Sequence, residues 1–334
     1  MPFNYKIIIF FIFFNVSILN SAFGENPENN FGNWLSDYKK FALKKGVSQE
    51  TIDITFKNVK FLDQVIKYDR KQPEFIEDTI TYVNKRANTL RTKKAKKLLI
   101  KNKILFNDIE RKFFVEKEIL LALWGIETNF GKHVGKMDII SCLATLSYDK
   151  RRSAFFSSQL LALLKLIDKK LINPDILYGS WAGAYGNFQF MPSTIVRYAI
   201  DYDADDKIEL RSSIDDSVAS AANYINKIGW KMGQPCFYRV KLTNKIKKEY
   251  LNSSARKISN RLKISDWKKK GVVNFDGTAL TSNFTAALIL PDGKPETPTY
   301  LVFENYEKIL KWNRSLRFGI SVCTLANMIK DNKL

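Results

Sequence analysis

Residues 119–126 read ILLALWGI, eight consecutive apolar or glycine residues that run directly into one carboxylic acid, Glu127. A helix that is apolar on every face must be surrounded by other elements. The stretch 116–128 is therefore predicted to be a central helix, and the rest of the chain has to supply layers around it. The surrounding sequence supplies mostly helical pattern. "WLSDYKKFALKKG" stops at Gly46, and "TIDITF" and "FIEDTITYVNKRA" carry apolar residues at spacings of three and four. "TKKAKKLLIKNK" (92–103) reads as a charged, solvated helix or linker. "SAFFSSQLLALLKLI" (153–167) is amphipathic with Ser153 as a candidate cap, and "SIDDSVASAANYINKIG" (213–229) is a small-residue helix ending at Gly229. Between them "YGSWAGAYGNFQFMP" (178–192) is small and glycine-rich, which permits tight backbone paths beside a ligand or another helix.

After Pro235 the pattern changes. "FYRVKL", "AALILP" and "TYLVFENY" alternate or run apolar as short strands, "PDG" (291–293) is a turn, and "VCTLANMI" closes the chain as a helix. The expected fold class is α+β, mainly α, with a helical part at about 30–235, a small β subregion at about 236–303 and a helical segment at 304–334. A length of 334 residues is enough to bury a sizeable core.

The first 24 residues stand apart. Lys6 precedes the apolar "IIIFFIFFNVSIL" (7–19), and "AFG" (22–24) has the small residues of a cleavage site, so the segment reads as a cleaved secretory signal. The mature protein (25–334) is expected to be exported and periplasmic, without a lipid anchor. The three cysteines, Cys142, Cys236 and Cys323, are too widely spaced for a dense disulfide framework or a CxxC metal site; they read mostly as small core residues, with at least one free. A net charge of +20 would attract an anionic cell envelope as readily as nucleic acid, and export argues against nucleic acid as a specific partner.

Much chemistry is excluded. The one histidine, His133, has no GxSxG elbow to serve, zinc sites of the HExxH type need two histidines, and there is no Walker A loop and no GxGxxG after a strand. Carboxylate acid catalysis remains. At the last turn of its helix Glu127 faces the negative end of the macrodipole, and apolar neighbours would desolvate it; both effects favour the protonated form a general acid needs. An ordinary exposed glutamate at a frayed helix end fits the spacing equally.

"ALWGIETNFGKHVGKMDIISCLATLSYDKRRSAFF", "GSWAGAYGNFQFMPSTIVRYAIDYDADDK", "ASAANYINKIGW" and "PTYLVFENYEKILKWNRS" resemble the B-type membrane-bound lytic murein transglycosylases, glycoside hydrolase family 103, over roughly residues 30–330. The resemblance implies a lysozyme-like fold with extra N-terminal helices. It also implies cleavage of the bond between N-acetylmuramic acid and N-acetylglucosamine in peptidoglycan strands, leaving a 1,6-anhydromuramoyl end. No cofactor would be required for catalysis; envelope-protein partners are left open. Glu127 would serve as acid and then base, so the second carboxylate usual in glycosidases would be dispensable. Asp138 and Asp149 read more simply as capping or surface acids. The alternatives are a hydrolytic muramidase of the same fold and an inactive cell-wall-binding protein.

By the same resemblance Arg151 and Arg152 would lie along the glycan or its peptide, against the reading of a solvated basic pair. Ser180 and Gln189 would line the cleft and hold the N-acetyl group. Tyr224 would line the cleft floor, Asn313 would sit beside the cleft, and Trp312 would stack on sugar. Phe318 stands where some members carry tyrosine. "DYDADDKIELRSSID" (201–215) looks like an EF-hand variant, with Asp201, Asp203 and Asp205 at positions 1, 3 and 5, the Lys207 carbonyl at 7, and Asp215 replacing the absent acid at Ser212. Asp206 stands where a glycine is usual. A structural calcium site and a plain acidic surface loop are the two readings.

Overall fold

The computed structural model describes residues 27–71 and 77–331. The segments 7–19 and 22–24, on which the export expectation rests, lie outside the described residues. The helical part comprises α1 (Pro27–Lys44), α2 (Gln49–Phe56), α3 (Asp63–Arg70), α4 (Thr79–Arg86), α5 (Thr89–Lys101), α6 (Lys103–Phe113), α7 (Lys117–Thr128), α8 (Ile139–Tyr148), α9 (Ser153–Asp168), α10 (Pro192–Tyr198) and α11 (Ile214–Lys227). Two short strands, β1 (Met137–Asp138) and β2 (Tyr178–Gly179), pair antiparallel within it. A sheet follows, built of β3 (Phe237–Leu242), β4 (Leu251–Asn252), β5 (Leu262–Lys263), β6 (Val272–Asn274), β7 (Thr285–Ile289) and β8 (Thr299–Val302), with α12 (Ile264–Lys269) between β5 and β6. The chain then enters α13 (Glu304–Trp312) and α14 (Leu316–Lys330).

The all-apolar helix is central, as its composition requires. Every residue of α7 from Ile119 to Gly125 is buried, and Leu120, Leu121, Ala122 and Leu123 have no exposed surface. α14 packs along α7, with α5 beside it. Truncating any of these leucines to alanine would cost on the order of 2–5 kcal/mol in lost transfer energy and cavity formation. Gly46 and Gly229 end their segments with φ of 85° and 93°, the left-handed backbone that terminates helices.

The sheet runs in the order β4-β7-β8-β3-β6, with β5 also on β7; β4 and β7 are parallel and the remaining pairs antiparallel. β7 and β8 are buried on both faces, which explains their apolar runs. Ala287, Ile289, Tyr300 and Val302 join the main helical core. Ala286, Leu288 and Leu301 point the other way, into a smaller core closed by Trp267 of α12 and by Phe303.

One expectation needs correction and another is incomplete. Ser153 is not the cap of α9: the helix starts at Ser153, with Arg152 at the cap position, and the Ser153 hydroxyl donates to the Ser147 carbonyl. Cys142 and Cys323 are buried core residues, as their reading from the sequence has it, but that reading missed a pairing. Cys236, just before β3, is disulfide-bonded to Cys323 of α14, 87 residues away, because the sheet folds back onto that helix. Only Cys142 is a free buried thiol, pushed up to about 12 by burial and then by the charge of Asp138.

Candidate active site

Glu127 sits at the end of α7, where three consecutive residues, Asn129, Phe130 and Gly131, adopt φ of 52°, 58° and 79°. The Asn129 and Phe130 amides donate back to the carbonyls of Gly125 (3.1 Å) and Trp124 (3.2 Å), so the helix stops abruptly instead of fraying. The end is braced by Asn187, buried at the heart of the glycine-rich segment. Its side-chain oxygen accepts from Trp124 Nε1 (3.0 Å), its carbonyl accepts from Thr128 Oγ1 (2.8 Å), and its amide nitrogen donates to the Arg211 carbonyl and Ser217 Oγ, each at 3.1 Å. Gly186 permits this approach: its φ is 78°, and a side chain there would meet the Leu210 carbonyl oxygen at 2.4 Å. Lys94 closes the helix terminus by donating to the Asn129 carbonyl at 2.9 Å, a favourable place for a cation.

Glu127 is half-buried, and its Oε1 accepts the indole N–H of Trp312 at 2.9 Å. The indole is itself fixed. Trp312 stacks on Tyr224 (centroids 5.0 Å, 23°), which stacks on Tyr198 (4.5 Å, 19°), while Phe190 meets Trp312 and Tyr224 edge-on. Phe188 approaches Trp312 edge-on at 6.2 Å. Tyr224 donates its hydroxyl to the Lys311 carbonyl (3.1 Å), and burial raises its pKa. The result is one oriented carboxyl group beside an aromatic wall, a surface suited to the apolar faces of a sugar with polar groups at its edges. Trp312→Phe keeps the wall but removes the N–H that aims Glu127. It is expected to lower turnover about 10-fold with little change in thermal midpoint, the loss of one hydrogen bond, read by steady-state kinetics and thermal unfolding.

The other expected site residues divide. Gln189 has φ of 51°, and its amide nitrogen donates to the carbonyls of Val134 (3.2 Å) and Gly186 (2.9 Å), linking the turn after Glu127 to the glycine-rich segment. Ser180 Oγ accepts from the Ala184 amide (3.0 Å), the turn role that its spacing alone suggests. Asn313 ends α13 half-buried next to Trp312. Phe318 is buried in α14.

The contacts of Arg151 and Arg152 run to Asp69 instead of Glu127. Asp69 is 1% exposed; Arg151 Nη1 reaches its Oδ2 at 2.7 Å, and Arg152 Nη2 pairs with Oδ1. Arg70 joins by holding Asp149 through two hydrogen bonds of 2.8 and 3.1 Å, which keeps that carboxyl below its usual range. Asp138 caps α8, accepting from the Ile140 and Ser141 amides. Neither acid is a second catalytic carboxylate by contact.

The acidic loop brings the carboxylates of Asp201, Asp203 and Asp205 within 4.8 Å of one another. Burial and then the like charges of Asp216, Asp205 and Asp201 raise the pKa of Asp203. Asp206 has φ of 65°, the left-handed conformation expected where glycine is usual. Asp215 is not in this three-carboxylate group and lines a recess with Asp108 and Lys101. Its neighbour Asp216, fully buried, is the acid that turns into the loop, accepting from the amides of Tyr202 (2.7 Å) and Glu209 (2.9 Å). Ser213 caps α11 through the Asp216 amide, and this sets which acid faces the loop.

Sequence reasoning missed Asn187, Phe188, Phe190, Tyr198, Asp69 and Asp216. The first three stand inside the glycine-rich segment, so an asparagine and two aromatics flanking Gln189 were the available signal.

Comparison with known proteins matches residues 30–327 to the family described as Transglycosylase SLT domain. Membrane-bound lytic murein transglycosylase B of Escherichia coli (strain K12) is 40% identical over 120 residues, 36% of this chain and 33% of that protein, so the match spans about a third of that relative's length. SltB3 of Pseudomonas aeruginosa, solved in complex with NAG-NAM-pentapeptide, superposes with a TM-score of 0.83 at 33% identity, covering 90% of this chain and 80% of that one. Escherichia coli Slt35, solved in complex with calcium, shares the fold at a TM-score of 0.75 and 24% identity, covering 92% and 94%.

Proposed function

The chain belongs to the transglycosylase SLT domain family, as a B-type lytic murein transglycosylase, and from that premise we propose that it cleaves the MurNAc–GlcNAc bond of peptidoglycan with Glu127 as its one acid–base group. The observation that carries this reading is the Glu127 carboxyl group aimed by the Trp312 indole beside the aromatic wall. In the first step the muramoyl C1–oxygen bond breaks, and Glu127 gives its proton to the departing 4-oxygen of the next sugar. The sugar's own N-acetyl group stabilises the electron-poor C1. In the second step the muramoyl 6-oxygen bonds to C1 and its proton returns to the Glu127 carboxylate. Proton count is conserved, no water is consumed, and a second carboxylate has no task.

The competing reading is a hydrolytic muramidase. Digestion of purified sacculi in water enriched in heavy oxygen separates the two. Transglycosylation leaves released muropeptides unlabelled, whereas hydrolysis puts one heavy oxygen on every new reducing end; labelled ends would defeat the proposal.

The acidic loop is proposed to hold calcium in a structural role, through Asp201, Asp203, Asp205 and the Lys207 carbonyl. An all-oxygen donor set suits a hard cation, and the crowded charge on Asp203 would be relieved by one. The calcium-bound relative of the same fold supports this reading. Saturating calcium is expected to raise the thermal midpoint by several degrees over chelator, since binding at about 100-fold above Kd stabilises by about 2.7 kcal/mol. Asp203→Asn should lose most of that shift, and an unchanged wild-type midpoint would leave an acidic loop. Action on peptidoglycan also requires export. The Cys236–Cys323 bond fits an oxidising compartment such as the periplasm, and fractionation of producing cells tests this.

A further inference from the structure

The lysine-rich stretch 92–103 and the residues beside it form a surface that the cut itself does not use. α5 carries six Lys or Arg residues and no acid. Its inner face, with Thr92 and Ala95 buried, packs on α7 and α14. Three of the six cations are taken up by backbone carbonyls: Arg91 donates to those of Lys85 and Arg86, Lys94 to that of Asn129 and Lys96 to that of Asp331. Lys93, Lys97 and Lys101 are exposed and form no salt bridge among the described residues.

The same outer face carries aliphatic side chains. Among the described residues Ile104 (88%), Leu90 (82%) and Ile100 (76%) are the most exposed large hydrophobics. At about 3.6 residues per turn, Leu90, Lys93, Lys97, Ile100 and Lys101 fall within an arc of about 100°. Ile104 follows in the first turn of α6 and lines one recess with Ile100, Lys101 and Lys103. Two acids share that recess, Asp108 and Asp215, and Asp108 is already engaged by Arg111 and the Tyr202 hydroxyl. Single exposed aliphatics are ordinary, whereas three in line with three lysines make a surface with a preferred neighbour. An anionic bilayer matches it, because lysine heads stay with lipid phosphates while aliphatic side chains enter the acyl boundary. A protein partner would be met by aromatic and arginine anchors, which this face lacks. A bare polyanion would leave the aliphatic side chains without a task.

We propose that the exposed face of α5, continued by Ile104, docks the protein on an anionic phospholipid membrane, with Lys93, Lys97 and Lys101 among the headgroup phosphates and Leu90, Ile100 and Ile104 at the acyl boundary. The other face of α5 packs against α7, and Lys94 bonds the Asn129 carbonyl just after Glu127, so the docked helix lies next to the helix that carries the acid. Docking holds Glu127 at a fixed height over the bilayer and confines cutting to the strands nearest the membrane. The docking stands independently of the transglycosylase reading; its consequence for which strands are cut rests on that reading.

Sedimentation of the full chain with vesicles of phosphatidylcholine alone, and of equal parts phosphatidylcholine and phosphatidylglycerol, tests this. The wild type is expected to bind the mixed vesicles about 100-fold more tightly than the neutral ones. Lys93→Gln/Lys97→Gln/Lys101→Gln should lose most of that preference, and Lys93→Arg/Lys97→Arg/Lys101→Arg should keep it. Leu90→Ser/Ile100→Ser/Ile104→Ser should weaken binding to mixed vesicles about 10-fold. Every variant keeps the apolar segment 7–19 and alters only exposed side chains, so the thermal midpoint and turnover of soluble glycan strands should stay at the wild-type values. Failure of the wild type to bind mixed vesicles, or glutamine and serine variants that bind as it does, would overturn the docking surface. An unaffected serine variant alone would reduce the interaction to adsorption by the net charge of +20 and overturn it as well. Binding that appears only with an envelope protein placed in the vesicles would give the face a protein partner and defeat the lipid assignment. A wild type that binds mixed vesicles yet cuts no soluble strand would strike the transglycosylase reading and leave the docking surface standing.

Discussion

Glu127→Gln is expected to reduce release of glycan fragments by about 10³-fold or more, because a single residue supplies both proton transfers and glutamine supplies neither. The exchange is close to isosteric. The glutamine carbonyl can still accept the Trp312 indole N–H, so the aromatic wall and the thermal midpoint should be preserved. Lost activity in a folded protein distinguishes a chemical role from a packing role, and steady-state kinetics with thermal unfolding on the same preparation provides both readings. A glutamate that merely ended a helix would give a variant with ordinary turnover. A second carboxylate with an equal share of the work would leave substantial residual activity, yet Asp138 is committed to capping α8 and Asp149 to Arg70.

Removing the Cys236–Cys323 disulfide should have the largest effect on stability. The bond closes an 87-residue separation that holds the whole sheet, and chain-entropy arguments give about 4–5 kcal/mol for a loop of that length. At roughly 2 °C per kcal/mol for a chain of this size, Cys236→Ser should unfold about 8–10 °C below the wild type. Reduced wild-type protein should match the variant, whereas a midpoint that does not move would show that α14 and the sheet hold together without the bond. The effect on turnover is expected to be milder, because the Trp312–Glu127 contact is made by α13 and α7, but it should appear near the lower midpoint.

How much of this was legible in the sequence depended on the range of the interaction concerned. α7 was readable because all-round apolarity leaves a helix no surface position, and β3, β7 and β8 because short apolar runs between turns suit a sheet covered on both faces. α8 is buried from Ile139 to Ser147 but passed unread, since "IISCLATLSY" mixes its apolar residues with buried serine and threonine and shows no polar face. Partners distant in the chain were unreadable from periodicity. Nothing near Arg151 and Arg152 announces that Asp69, more than 80 residues upstream, will take both guanidiniums. Glu127 could be singled out by its setting and by family resemblance, whereas the hydrogen bond that aims it comes from Trp312, 185 residues later. Asp215 and Asp216 show the finest limit. One residue along a helix rotates a side chain by about 100°, and the cap at Ser213 makes Asp216 the acid beneath the loop.

The central claim is that one carboxyl group, Glu127, performs a non-hydrolytic cut. Mass spectrometry of the muropeptides released from purified sacculi by wild type and Glu127→Gln, side by side, tests it most directly. The account predicts wild-type products one water lighter than hydrolysed ends, and none of them from the variant. Hydrated ends from the wild type, or anhydro ends still produced by Glu127→Gln, would contradict it.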